Sequence, residues 1–132
     1  MTIDLTAGYE LRLTVLMSEI LYHSDIVLPA GFVKPTGRVR LRWTSHALRA
    51  AKSDRYGDVP VQDTMTLEWY DVVEVGTRDG KVSKIVFRGG LNKTQDIVIV
   101  LIPGDEVWTA KTVWINEKND AHHTLDRSRY AA

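Results

Sequence analysis

Ile97-Val98-Ile99-Val100-Leu101-Ile102-Pro103-Gly104-Asp105-Glu106-Val107-Trp108-Thr109-Ala110-Lys111-Thr112-Val113-Trp114-Ile115-Asn116 decides the fold. The first six residues are continuously apolar, the pattern of a central strand covered on both faces. Pro103-Gly104-Asp105 turns the chain. From Val107 the pattern alternates. It sets Trp108, Ala110, Thr112 and Trp114 on one face of a last strand, and Thr109, Lys111, Val113 and Ile115 on the other.

Working outward, Gly89-Gly90-Leu91-Asn92-Lys93 is a loop and residues 81–88 form the strand before it. Thr77-Arg78-Asp79-Gly80 is a hairpin turn, with Asp-Gly its strongest signal. Residues 65–75 are extended, so residues 65–116 form a meander. Ahead of it, Thr44 or Ser45 caps a short helix through His46-Ala47-Leu48-Arg49-Ala50-Ala51-Lys52. Val39, Leu41 and Trp43 alternate with Arg38, Arg40 and Arg42 on a strand that follows the Lys34-Pro35-Thr36-Gly37 turn. Residues 9–17 alternate as another half-buried strand, and 20–28 form a less regular apolar stretch. Strands, one helix and then four strands, without βαβ alternation, predict an α+β fold. Its antiparallel sheet has four or more strands, one short helix and extra N-terminal strands. The chain divides into N-terminal strands (1–43), helix and meander (44–116) and a polar tail (117–132), all one domain. Leu125 and Tyr130 predict that the tail docks.

The 132 residues, 44% apolar, suffice for one core. With no cysteine, disulfides and thiolate metal centres are excluded, which fits a reducing compartment. Residues 1–8 lack a leader pattern, and the longest apolar run is far short of the ~20 residues of a membrane helix. The expectation is a cytoplasmic protein with no membrane partner. Seventeen basic and seventeen acidic residues cancel, so any nucleic-acid binding needs a local patch. The one dense basic stripe is Arg38, Arg40 and Arg42. It spans roughly 13 Å, compatible with two phosphates of single-stranded RNA. A basic strand face is otherwise ordinary solvated surface.

No Walker loop, dinucleotide fingerprint, HExxH or GxSxG occurs. His122 and His123 are adjacent, with no further ligands at tight spacing, so no metal and no cofactor is expected. His46 has the proton-exchange chemistry of a general acid or base, and its ordinary reading is a surface or capping histidine. Arg88, ahead of two glycines, suits stabilisation of a phosphate, and is equally well a solvated strand end. Lys111 and Thr112 alternate, so they share a cleft only if a bulge re-aims one of them. His123, Thr124 and Arg127 form a polar cluster after the last strand.

Residues 45–57, with Ser45-His46-Ala47-Leu48 and Asp54-Arg55-Tyr56-Gly57, resemble a family of small bacteriophage proteins. So do residues 111–126, with Thr112-Val113-Trp114-Ile115-Asn116 and His122-His123-Thr124-Leu125-Asp126. Most of that family lacks an assigned activity. The order of helix and meander is also similar to the RelE-like small ribonuclease toxins, which cleave RNA without metal. The chain departs from that group in its extra N-terminal strands and zero net charge.

The resemblance implies attack of a ribose 2′-hydroxyl on the adjacent phosphate. His46 and His123 would be base and acid, and Arg88 would stabilise the phosphorane. Arg55, Lys93, Thr112, Asn116, Thr124 and Tyr130 would contact substrate, with Tyr130 stacking on a base. Two other readings stand beside it. One is a non-enzymatic protein that binds a host protein through some of its four tryptophans and five tyrosines. The other is a particle accessory protein that uses the N-terminal strands in assembly.

Overall fold

The computed structural model describes residues 18–122 and 127–131. The strand expected at 9–17 lies outside them. The chain forms β1 (Ile20–His23), β2 (Arg38–Trp43), α1 (Ser45–Lys52), β3 (Thr64–Thr66), β4 (Asp71–Arg78), β5 (Lys81–Gly90), β6 (Gln95–Ile102) and β7 (Val107–Glu117). Among the described residues the strands make a single seven-stranded sheet in the order β1-β4-β5-β6-β7-β2-β3. All pairs are antiparallel except β2 with β7, which is parallel. The α+β class is as expected, and the sheet is larger than the meander alone.

The expected extended run at 65–75 is two strands. A 3-10 turn at Leu67–Trp69, closed by Tyr70 N donating to Leu67 O at 3.1 Å, separates β3 from β4. This break shapes the whole sheet. β3 and β4 stand five strand spacings apart in the order, ~24 Å in a flat sheet. Yet the five steps from Thr66 to Asp71 span at most ~18 Å fully extended, and less through a turn. The sheet must therefore curl.

What it curls around is an inner core of Met65, Leu67, Ile85, Phe87, Ile97, Ile99, Leu101, Trp108, Ala110, Val113 and Ile115, with Ala47 and Ala51 of α1. Val39, Leu41 and Trp43 of β2 pack against it. β6 lies mid-sheet and is buried on both faces: Ile97, Ile99 and Leu101 point inward, while Val98 and Val100 join Val86, Val73 and Trp114 outside. The continuous apolar run has this cause.

Helix α1 starts where a hydroxyl can satisfy its first free N–H groups: Thr44 Oγ1 accepts from Ala47 N at 3.0 Å. It packs against β7, where Asp54, just past its end, accepts from Ile115 N at 3.0 Å. At the β4–β5 hairpin, Asp79 and Gly80 have φ of 54° and 78°, the paired positive values that a two-residue turn demands.

The expected faces of the last strand are corrected over its second half. β7 carries an extra residue against β6: Val100 faces Thr112, but Leu101 faces Ala110. Lys111 is the unpaired residue of this bulge. Beyond it the alternation is reset, so Val113 and Ile115 enter the inner core while Thr112 and Trp114 face outward. A second bulge at Val73 sends both Val73 and Glu74 outward.

Candidate functional site: a cationic cleft on the outer face

The tail lies across the outer face and builds a site there. Tyr130 bridges Leu21 on β1 in parallel, Ala131 N donates to Leu21 O at 2.8 Å, and the Tyr130 ring is buried. Its hydroxyl donates to Glu74 Oε1 at 2.7 Å. His122, on the other arm of the tail, stacks on Trp114 with ring centroids 6.0 Å apart. Its Nε2 lies 3.3 Å from the same Glu74 oxygen. Lys84 Nζ completes the shell, 3.2 Å from Glu74 Oε2. His23 supports this arrangement by donating to the His122 carbonyl and meeting the Tyr130 ring edge-on at 5.0 Å.

Glu74 is 6% exposed. Burial pushes its carboxyl up, but the hydrogen bonds from His122 and Tyr130 and the charge of Lys84 outweigh that. Together they lower it from 4.5 to about 2. It is thus ionised at neutral pH and can only accept hydrogen bonds, so His122 Nε2 must carry the proton it shares with Glu74. A neutral His122 then has Nδ1 as its basic nitrogen.

A cavity of about 310 Å³ opens beside this pair, lined by Glu74, Lys84, Lys111, Thr112, Trp114, His122 and Arg129, among others. The bulge is what places Lys111 and Thr112 together. Among the described residues, neither Lys111 nor Arg129 has a carboxylate partner. The cleft therefore offers two uncompensated cations, an oriented imidazole and a hydroxyl. Cations beside an imidazole and a hydroxyl are groups that can hold an anionic oxygen and exchange a proton next to it.

The residues singled out from sequence are distributed over several places. Thr112 lines this cleft. Tyr130 adjoins it, but its ring is buried and its hydroxyl holds Glu74, so it positions the carboxylate and has no face free for stacking. Arg55 and Asn116 line a neighbouring groove of about 460 Å³ between α1 and β7, with Trp114 on its wall. Arg55 packs over the Tyr56 ring at 4.7 Å.

His46 is exposed on α1, and strands β6 and β7 separate that helix from Arg88 on β5. The structure does not bring these two together. Arg88 is already engaged: Nε donates to Asp96 at 2.8 Å and Nη2 to the Glu117 carbonyl at 2.9 Å. Asp96 is raised by burial but lowered further by Lys118 and Arg88, with a net downward shift. Arg88 lines a larger pocket of about 520 Å³, whose cations Arg88 and Lys118 both pair with Asp96. Lys93 is exposed in the β5–β6 loop. His123 and Thr124 lie outside the described residues.

Glu74, Lys84, Arg129 and the role of His122 were missed from sequence. The one available signal was Val72-Val73-Glu74-Val75, a carboxylate amid valines, because a buried acid is nearly always partnered. Among the described residues, no three His, Asp or Glu side chains converge as metal ligands, and no helix is long and apolar enough to cross a membrane. The chain matches no protein-family model, no curated protein and no solved structure.

Proposed function

We propose that this chain binds and cleaves single-stranded RNA without a metal ion, at the outer-face cleft and not at a His46–Arg88 pair. The observation that carries the reading is the Glu74–His122 pair opening onto a cavity with Lys111 and Arg129 unpaired. In this reading His122 Nδ1 takes the proton of a ribose 2′-hydroxyl. The 2′-oxygen bonds to phosphorus, and the charge on the phosphorane oxygens is held by Lys111 and Arg129. The bond to the 5′-oxygen breaks, and that oxygen takes a proton from the Lys111 ammonium. Glu74 stabilises the imidazolium and fixes its orientation, and Thr112 offers a hydroxyl to the substrate.

The products are a 2′,3′-cyclic phosphate and a 5′-hydroxyl. Incubating the protein with a single-stranded oligoribonucleotide in excess chelator, and analysing the new ends, tests this. Cyclic phosphate ends support the reading. Intact RNA, or cleavage that appears only when metal is restored, overturns it.

A second reading, a non-enzymatic binder of a host protein, is favoured by two apolar side chains outside the cleft. Val33 is 80% exposed and Trp69 74%. They sit on segments laced together by Gly37 N donating to Glu68 Oε1 at 2.8 Å and Lys34 donating to the Tyr70 carbonyl.

A further inference from the structure

The arginine row on β2 is continuous with the cleft. Val39, Leu41 and Trp43 pack on the inner core, so Arg38, Arg40 and Arg42 face outward, as their exposure shows. β2 runs parallel to β7, with Arg40 level with Val107 and Arg42 level with Thr109. Arg42 Nη2 donates to Thr109 Oγ1 at 3.2 Å, which ties the two strands' outer faces together. Two residues beyond Thr109 stands Lys111, which lines the cleft.

The parallel pairing thus makes one file, Arg38, Arg40, Arg42, Lys111, climbing ~20 Å along the sheet in steps of roughly 6.6 Å. That step is close to the spacing of successive phosphates in an extended single strand. Among the described residues, none of the four has an ion-pair partner. Asp63 lines the same groove as Arg40 and Arg42 without pairing to either. In a chain with no net charge, these four cations form an evenly spaced row with no carboxylate among the described residues paired to any of them.

We propose that Arg38, Arg40 and Arg42 are a phosphate track that holds the backbone of a single-stranded RNA running into the cleft. The inference rests on the cleft being an RNA site and adds the direction and length of the substrate. Each arginine takes one phosphate, so three nucleotides beyond the reacting one are bound on the β2 side. Contacts are to phosphate oxygens and not to base edges, so the track favours length without favouring sequence.

The test compares the wild type, Arg38→Gln/Arg40→Gln/Arg42→Gln, the same three positions changed to Lys, and a control triple, Arg49→Gln/Arg78→Gln/Lys81→Gln. The control removes the same charge elsewhere. Binding of a 12-nucleotide RNA is measured from 50 to 300 mM salt, alongside cleavage of the 12-mer and of a dinucleotide. At about 0.7 per phosphate contact, the Gln triple should lower the magnitude of the salt slope by about 2. It should weaken 12-mer binding at least tenfold at low salt and collapse the preference for the 12-mer over the dinucleotide. The Lys triple should restore the slope, and the control should match wild type. Equal salt slopes in the Gln and control triples overturn the track, even if cleavage persists. A track-dependent slope without cleavage of either substrate overturns the catalytic reading and supports the track. Wild-type binding to anionic vesicles but not to RNA overturns both.

Discussion

Glu74 is the residue on which the outer face turns. An ionised carboxylate that is 6% exposed persists only because three donors meet it, and removing any of them leaves a buried charge short of partners. Its carboxyl is held at about 2 against an ordinary 4.5. The depressed value means that its stabilisation is fully present above pH 4.5 and is lost as pH falls from there through about 2. The amount is on the order of 3 kcal/mol. Denaturant unfolding should show wild type well above Glu74→Gln at pH 7, with the gap closing between pH 4.5 and 2. A gap that does not change with pH would mean the carboxylate is not ionised in the folded state. Asp96, also lowered, adds to the acid loss with the same sign. At this scale the sequence was only partly legible. Thr112 lines the cleft, whereas the Tyr130 ring is buried and leaves no face for stacking. The sequence points to His46 and His123 as base and acid and gives His122 no such role, because nothing local announces that Glu74 waits across the sheet.

At the scale of elements, capping and turn chemistry were the most legible. The Thr44 cap and the Asp79-Gly80 turn stand where side-chain chemistry put them, because both are local effects. Thr44→Ala should cost about 1 kcal/mol in chemical unfolding. A loss near zero would mean the Ala47 N–H is satisfied otherwise. Gly89 in β5 shows a subtler constraint. A Cβ there would come within 2.6 Å of Tyr70 Cδ2, so Gly89→Ala should destabilise by roughly 1–3 kcal/mol as the ring is displaced. Gly90, whose Cβ would meet only the end of Lys118 at 3.4 Å, should accept alanine with little change. The β7 bulge was not legible. Ala110-Lys111-Thr112-Val113 fits simple alternation as well as a reset one, and only pairing with β6 counts the extra residue.

For the whole molecule, the fold class followed from pattern, but the curl of the sheet did not. Residues 65–75 read as one strand because nothing in Leu67-Glu68-Trp69 resembles a turn signal. The break there is a 3-10 turn closed by Tyr70 N donating to Leu67 O, with Leu67 buried in the inner core. That break curls the sheet, and the curl gives the domain a packed interior and an outer face free for the tail. It also aligns β2 with β7, so the arginine row visible in sequence acquires a neighbour, Lys111, that sequence could not supply.

The central claim, that chemistry belongs to the tail-built cleft, is tested most directly by comparing cleavage of single-stranded RNA in chelator by wild type, His122→Ala and His46→Ala. The account predicts a rate at least 100-fold lower for His122→Ala, with His46→Ala within about twofold of wild type. An inactive His46→Ala beside a fully active His122→Ala, or a wild type that leaves RNA intact, would contradict it.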